Sequence, residues 1–192
     1  MTAAVRLGVL ASGRGSNLRN LVDRGYRVVA VATNRPGCGA AGLARARGLP
    51  LGAFSQRGFA SREERDVAML GWLRERDVEL VVNAGYDRIL SAAFVAAFRG
   101  RIVNVHPSLL PAFAGGMDAV ERALAHGAEV TGCTVHVVTD EVDAGPILVQ
   151  AAVPVLPDDT VEGLRARIQA EEHRILPEAI ELIAQARTSV RQ

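Results

Sequence analysis

Arg101-Ile102-Val103-Asn104-Val105-His106, followed at once by Pro107-Ser108-Leu109-Leu110-Pro111, is the stretch from which the fold is read. Its apolar run has the length and character of a strand buried on both faces, and the prolines stop it. Polar groups gather at its C-terminal end, where Asn104 and His106, two apart on extended backbone, point to one face. Upstream the same pattern recurs. Val5 to Leu10, Tyr26 to Thr33, Leu49 to Phe54 and Val78 to Asn83 are apolar segments of strand length. Between them lie helical segments around Leu18 to Val22, Ala40 to Arg47, and one capped by Ser61 with Glu64 three residues on. Ser91 caps another, through Phe98. This alternation implies an α/β fold, a single domain with a mostly parallel twisted sheet, right-handed crossovers and helices on both faces.

Downstream, a helix is expected from Gly115 to about His126, with His126 as its C-terminal cap. Glu129 to Thr139 and Ile147 to Val155 flank Asp143-Ala144-Gly145-Pro146, which predicts an antiparallel C-terminal strand pair. A long closing helix starts at Asp159 or Thr160 and runs to about Ala186, with a kink or break after Leu176 imposed by Pro177. Arg167 and Glu171 are spaced for an i,i+4 ion pair on it, and Thr188 to Gln192 are expected to fray. Trp72, among Val67, Leu70 and Leu73, reads as packing.

Composition narrows the function. The 192 residues carry 22 cationic side chains, all arginine, against 21 acidic ones, a net charge of +1 that makes no case for nucleic acid or an anionic membrane. The absence of lysine excludes Schiff-base and lysine-base chemistry. Cys38 and Cys133 lack metal-ligand spacing and read as plain thiols. With no visible signal peptide or membrane-length apolar run, a soluble cytoplasmic protein is expected.

Two loops carry chemistry. Ala11-Ser12-Gly13-Arg14-Gly15-Ser16-Asn17 joins a strand to a helix, a layout that aims backbone N–H groups at an anion. It matches neither a dinucleotide fingerprint nor a Walker loop, so a phosphate site and a plain tight turn both stand. Thr139-Asp140-Glu141-Val142-Asp143-Ala144-Gly145-Pro146 supplies carboxylates on a turn. A carboxylate beside an imidazole raises its pKa and fixes its tautomer, and a nearby amide can donate to an oxyanion. Asn104, His106 and Asp143 therefore suit acyl transfer to a nucleophile carried by the substrate. Asn104 tying down the next loop, Asp143 as a mere turn former, and Asp140 or Glu141 in its role all stay open. His136 stands beside the site or fills a mixed face, and no metal is expected.

At these residues the chain resembles the phosphoribosylglycinamide formyltransferase family of purine synthesis, from Val9 to the Gln169-Ala170-Glu171-Glu172-His173 helix. Asn104 to Pro111 and Thr139 to Pro146 are its most specific parts. The resemblance implies one formyltransferase domain over residues 1–192, with a nucleotide-binding half at 5–100 and a catalytic and folate-binding half at 101–187. It implies Asn104, His106 and Asp143 as catalytic, and Ser12, Gly13, Arg14, Gly15, Ser16 and Asn17 as the phosphate site. Glu172 would meet the ribose or amine of glycinamide ribonucleotide. Arg62, Tyr86, Asp87, Arg88, Ile89, Leu90, Val138 and Asp140 would hold the folate. The implied reaction moves a formyl group from 10-formyltetrahydrofolate, a cosubstrate, to the ribonucleotide's amine in de novo purine biosynthesis. Small-molecule substrates, no nucleic acid, no membrane, and a monomer or homodimer go with it.

The chain departs from the family at two places. Phe113-Ala114-Gly115-Gly116-Met117-Asp118 stands where Phe-Pro-Gly and then a histidine are usual, and Asp87 where methionine is common. Losing the proline frees the loop. A formyltetrahydrofolate hydrolase, formyl transfer to another amine such as an amino sugar nucleotide, and a non-catalytic nucleotide-binding module are the alternatives. Hydrolases of this kind usually carry an additional N-terminal regulatory domain, whereas Val5 opens the sheet here.

Overall fold

The computed structural model describes residues 5–189. Seven strands, β1 (Leu7–Leu10), β2 (Val28–Thr33), β3 (Leu51–Ala53), β4 (Leu80–Asn83), β5 (Ile102–His106), β6 (Val130–Val137) and β7 (Ile147–Pro154), run in the order β3-β2-β1-β4-β5-β6-β7. β1 pairs in parallel with β2 and β4, and β2 with β3, whereas β6 and β7 are antiparallel. The mostly parallel α/β fold with its antiparallel C-terminal pair is thus the one expected. The helices are α1 (Ser16–Asp23), α2 (Gly39–Ala46), α3 (Arg62–Arg74), α4 (Ala92–Ala97), α5 (Ala119–Ala125) and α6 (Val161–Ser189). The chain forms two compact units, one ending at Val103 and the other starting at Asn104.

In the first unit every residue of β1 is buried, as befits a strand covered on both faces. Ser61 caps α3 by accepting from the Glu64 N–H at 3.0 Å. The reciprocal bond falls one residue early, since the Glu64 carboxylate accepts from the Ala60 N–H at 2.7 Å. Ser91 caps α4 through the Phe94 N–H at 3.3 Å. Trp72 packs edge-on against Phe54, ring centroids 5.8 Å apart.

Arg65 and Asp66 form a buried ion pair, their side chains 2% and 0% exposed. Such a pair is tolerated only when its remaining polar atoms are satisfied. Here Arg65 also donates to Gln56 Oε1 and the Ile89 carbonyl, and Asp66 Oδ2 accepts from the Ser91 N–H at 2.5 Å. The pair therefore ties α3 to the segment leading into α4.

In the second unit α6 packs on β6, β7 and α5. Glycine is required at 132, where a Cβ would lie 2.0 Å from the Ala151 carbonyl oxygen across the β6–β7 pair. Thr160, not Asp159, caps α6, its hydroxyl accepting from the Gly163 N–H at 3.1 Å.

Four expectations are corrected. α5 begins at Ala119 rather than Gly115, because Gly115 and Gly116 adopt φ of 71° and 86°, outside any right-handed helix. Of the kink or break expected after Leu176, the break does not occur, and α6 runs on through Pro177. The buried Ile175, Leu176, Ala179 and Ile180 hold the helix together where the proline removes one hydrogen bond. Arg167 pairs not with Glu171 but with both oxygens of Asp159, at 2.7 and 2.5 Å, and Glu171 receives Arg174 instead. Thr188 and Ser189 still belong to α6, and residues 190–192 lie outside the described residues.

Candidate active site

β5 delivers Asn104 and His106 to one cluster in the second unit, and the turn before β7 brings Asp143 to them. His106, 4% exposed, places Nδ1 3.3 Å from Asp143 Oδ2 and Nε2 3.1 Å from the Phe113 carbonyl oxygen. Asn104 Nδ2 lies 3.4 Å from Asp143 Oδ1. Asp143 takes the left-handed conformation, φ 54°, and its Oδ2 accepts from the Gly115 N–H at 2.9 Å. Asp143, and neither of the exposed Asp140 and Glu141, is therefore the carboxylate that reaches the imidazole.

The partners determine what these groups can do. With an acceptor at each nitrogen, either neutral tautomer of His106 leaves one lone pair facing an oxygen, and only imidazolium donates to both. Burial acts the other way and is the larger influence, so the His106 pKa lies below 6.5, although Asp143 and the Phe113 carbonyl oppose the shift. Burial would raise the Asp143 pKa, but the Gly115 N–H and the His106 imidazole hold it below the usual carboxylate value. The result is an ionised carboxylate beside an imidazole poised to take up a proton once negative charge develops nearby.

His136 belongs to the cluster, which the sequence left open. It is buried, with Nε2 3.1 Å from Asn104 Nδ2 and 3.5 Å from Asp143 Oδ1. The amide is at hydrogen-bond distance and the carboxylate is beyond it, so Nε2 accepts from Asn104 while Nδ1–H donates to the Val137 carbonyl at 3.1 Å. Asn104 is thereby fixed with its NH2 toward Asp143. The signal available in sequence was a lone imidazole between two valines, Val135 and Val137, on a strand.

The loop after β5 is pinned from β6 and β7. Thr134 Oγ1 donates to the Ser108 carbonyl at 2.7 Å and accepts from the Leu110 N–H at 3.0 Å and from Gln150 Nε2 at 2.8 Å. The Leu110–Pro111 peptide is cis. Ser108 Oγ donates to the Ala112 carbonyl at 2.5 Å, which removes it from any nucleophilic role.

In the first unit the loop from Ser12 to Asn17 leads into α1 through Gly15, whose φ is 81° and whose added Cβ would lie 2.7 Å from Ala40 Cα. Gly13 and Arg14 are exposed. Ser12 Oγ donates to Asn34 Oδ1 at 2.5 Å and accepts from the Asp87 N–H at 3.0 Å. Asn34 Nδ2 and the Arg35 guanidinium both donate to the Asp87 carboxylate. The structure thus joins the anion-type loop to the segment at 86–90. Tyr86 is buried, and desolvation pushes its phenol up to about 12. Arg88 and Ile89 are exposed, and Leu90 is half-buried. Arg62 is exposed and donates to Glu63 at 2.9 Å. Val138 is half-buried just beyond β6, and the charge of Glu172 on α6 is felt at Cys133 of β6. Among the described residues no three His, Cys, Asp or Glu side chains are grouped to hold a metal, and no helix is long and apolar enough to cross a membrane.

Known proteins resemble the chain over nearly its full length. A formyl transferase family model matches residues 5–180. The phosphoribosylglycinamide formyltransferase of Mycobacterium tuberculosis is 44% identical over 95% of this chain and 86% of its own. The trifunctional purine biosynthetic protein adenosine-3 of Gallus gallus is 42% identical over 98% of this chain, which spans only 19% of that longer protein. Among solved structures, glycinamide ribonucleotide transformylase 1 from Symbiobacterium toebii superposes with a TM-score of 0.91 at 48% identity, covering 95% of this chain and 89% of that one. Phosphoribosylglycinamide formyltransferase from Bacillus halodurans gives 0.89 at 35% identity, covering 94% and 96%.

Proposed function

The chain belongs to the formyl transferase family, among the phosphoribosylglycinamide formyltransferases, and from that membership we propose that it transfers a formyl group from 10-formyltetrahydrofolate to the amine of glycinamide ribonucleotide. The observation that carries the reading is the convergence of Asn104, His106 and Asp143 on one another. The amine attacks the formyl carbon directly, a new C–N bond forms, the bond to the folate nitrogen breaks, and one proton passes from the amine to that nitrogen.

The Asn104 N–H that faces Asp143 at 3.4 Å turns to the tetrahedral oxyanion, and the His106 Nε2–H is shared between it and the Phe113 carbonyl. Because the oxyanion appears only as the adduct forms, it favours imidazolium in the transition state over the ground state, where burial disfavours it. Asp143, ionised at neutral pH, balances that imidazolium, whose extra proton is the one the amine gives up and the folate nitrogen finally receives, relayed by a water that donates to Asp143. The backbone N–H groups and polar side chains of the loop Ser12, Gly13, Arg14, Gly15, Ser16 and Asn17 take the ribonucleotide's phosphate. Glu172 takes its ribose or amine. Arg62, the 86–90 segment, Val138 and Asp140 hold the folate. A cytoplasmic setting and a monomer or homodimer fit this role.

The test is to follow folate product by absorbance with glycinamide ribonucleotide present and then omitted. Product only with the ribonucleotide is expected, and His106→Ala should lower turnover by about 10²- to 10³-fold. Equal product without the ribonucleotide would replace transfer by hydrolysis. Near-parental turnover of His106→Ala would remove His106 from the mechanism.

A further inference from the structure

We propose that Arg122 is a positioning residue for this transfer, gripping the carbonyls of Phe113, Ala114 and Gly115 and so holding the loop that orients His106 and Asp143. The inference rests on the formyl-transfer reading for the use to which that orientation is put. From α5, Arg122 Nη2 donates to the Phe113 carbonyl at 2.7 Å, to that of Ala114 at 3.2 Å and to that of Gly115, while Nη1 adds a second contact of 3.2 Å to Ala114. Its Nε side faces the Asp118 carboxylate at 3.0 Å. Two of the gripped residues are the ones that touch the cluster. The Phe113 carbonyl faces His106 Nε2, and the Gly115 N–H donates to Asp143. One guanidinium thus fixes an acceptor for the imidazole and a donor for the carboxylate together.

Beyond Arg122 the loop is held by the Phe113 ring edge-on against His126, centroids 5.9 Å apart, by Ser108 on the Ala112 carbonyl and by a long Ala114 N–H bond to the Pro111 carbonyl at 3.4 Å, none of which grips the Gly115 carbonyl. Ala114, Gly116 and Met117 are exposed, and Phe113, Gly115 and Gly116 all have positive φ. The expected proline is replaced by Ala114, so the backbone restraint that a ring would give is absent, and Arg122 supplies restraint from outside the loop. Only arginine suits the task. Its planar fork presents donors to several acceptors at fixed spacing, whereas a lysine ammonium is a single point of contact on a flexible stem. Arg122→Lys therefore keeps the charge near His106, His136 and Asp143 and removes the grip.

The experiment uses the full chain with Arg122→Ala and Arg122→Lys, and reads two quantities. In the ligand-free protein, amide exchange of the Gly115 N–H, which donates to Asp143 from the gripped loop, should quicken by about tenfold in both variants when followed by NMR. In the assay, kcat should fall by roughly 10- to 100-fold while the KM for glycinamide ribonucleotide changes by less than about threefold. If either quantity stays within about twofold of the parent in Arg122→Lys, the positioning role is overturned. Should Arg122→Ala fail to fold, Arg122→Lys alone decides. A parent with no ribonucleotide-dependent turnover would instead overturn the formyl-transfer reading, and the exchange measurement would then still judge the grip.

Discussion

Tyr86 buries a hydroxyl that finds no hydrogen-bond partner among the described residues, within a segment assigned above to folate. An unsatisfied buried hydroxyl is a net cost, so Tyr86→Phe should stabilise the protein by about 1 kcal/mol in urea unfolding. No gain would mean that the hydroxyl is satisfied after all. At this scale the letters of the sequence carry side-chain chemistry and nothing else. Asn104, His106 and the need for a carboxylate from the turn at 140–143 were legible because an amide, an imidazole and a carboxylate are their own signals. The choice of Asp143 over Asp140 and Glu141 was not, since it depends on a left-handed backbone at 143. The Phe113 carbonyl and the Gly115 N–H were invisible for a plainer reason. Every residue but proline has both groups, and only the fold selects which ones face the imidazole and the carboxylate. Arg122 was hidden with them, because its partners are backbone atoms seven to nine residues upstream.

Elements were easier to read where apolar periodicity decides them. The strand and helix alternation, the caps at Ser61 and Ser91 and the antiparallel final pair all follow from patterns within a few residues. The misplaced start of α5 came from counting Gly115 and Gly116 as helical when their φ values forbid it. Pro177 does not end α6, because buried neighbours on the helix outweigh one missing hydrogen bond. β6 shows what an element contributes to a site at a distance. Through Thr134 it fixes the strand-end loop that carries Ser108 and Leu110. Thr134→Val keeps the shape and strands the buried Leu110 N–H and the Ser108 carbonyl, so it should cost about 1–3 kcal/mol. The loss should appear as a lower urea midpoint, with Thr134→Ser recovering most of it. Equal midpoints for Val and parent would show that the hydroxyl does not hold the loop.

Across the whole molecule, acid should act through the same cluster. His106 has a folded pKa below its unfolded value, so the unfolded chain binds the extra proton first and stability falls as pH drops below about 6.5. Asp143 is also depressed, so its contribution is present above the ordinary carboxylate range and is lost as pH falls through its folded pKa. The urea midpoint should therefore decline in two stages on acidification, and His106→Asn should abolish the upper one. An unchanged slope between pH 7 and about 5.5 in that variant would assign the upper stage elsewhere. Arginine's monopoly of the cationic side chains leaves ion pairs of two kinds. Arg174 with Glu171 and Glu178 lies on the exposed side of α6, within reach of dissolved salt. Arg65 with Asp66 is sealed from it. Mobile ions at about 1 M shorten electrostatic reach to roughly 3 Å in solvent but do not enter a sealed pair. Brine would loosen the outer surface of α6 and the exposed hold of Arg35 on Asp87 while the backbone from Ile89 to Ser91 kept its anchorage, so one end of the segment assigned to folate is held against ionic strength and the other is not.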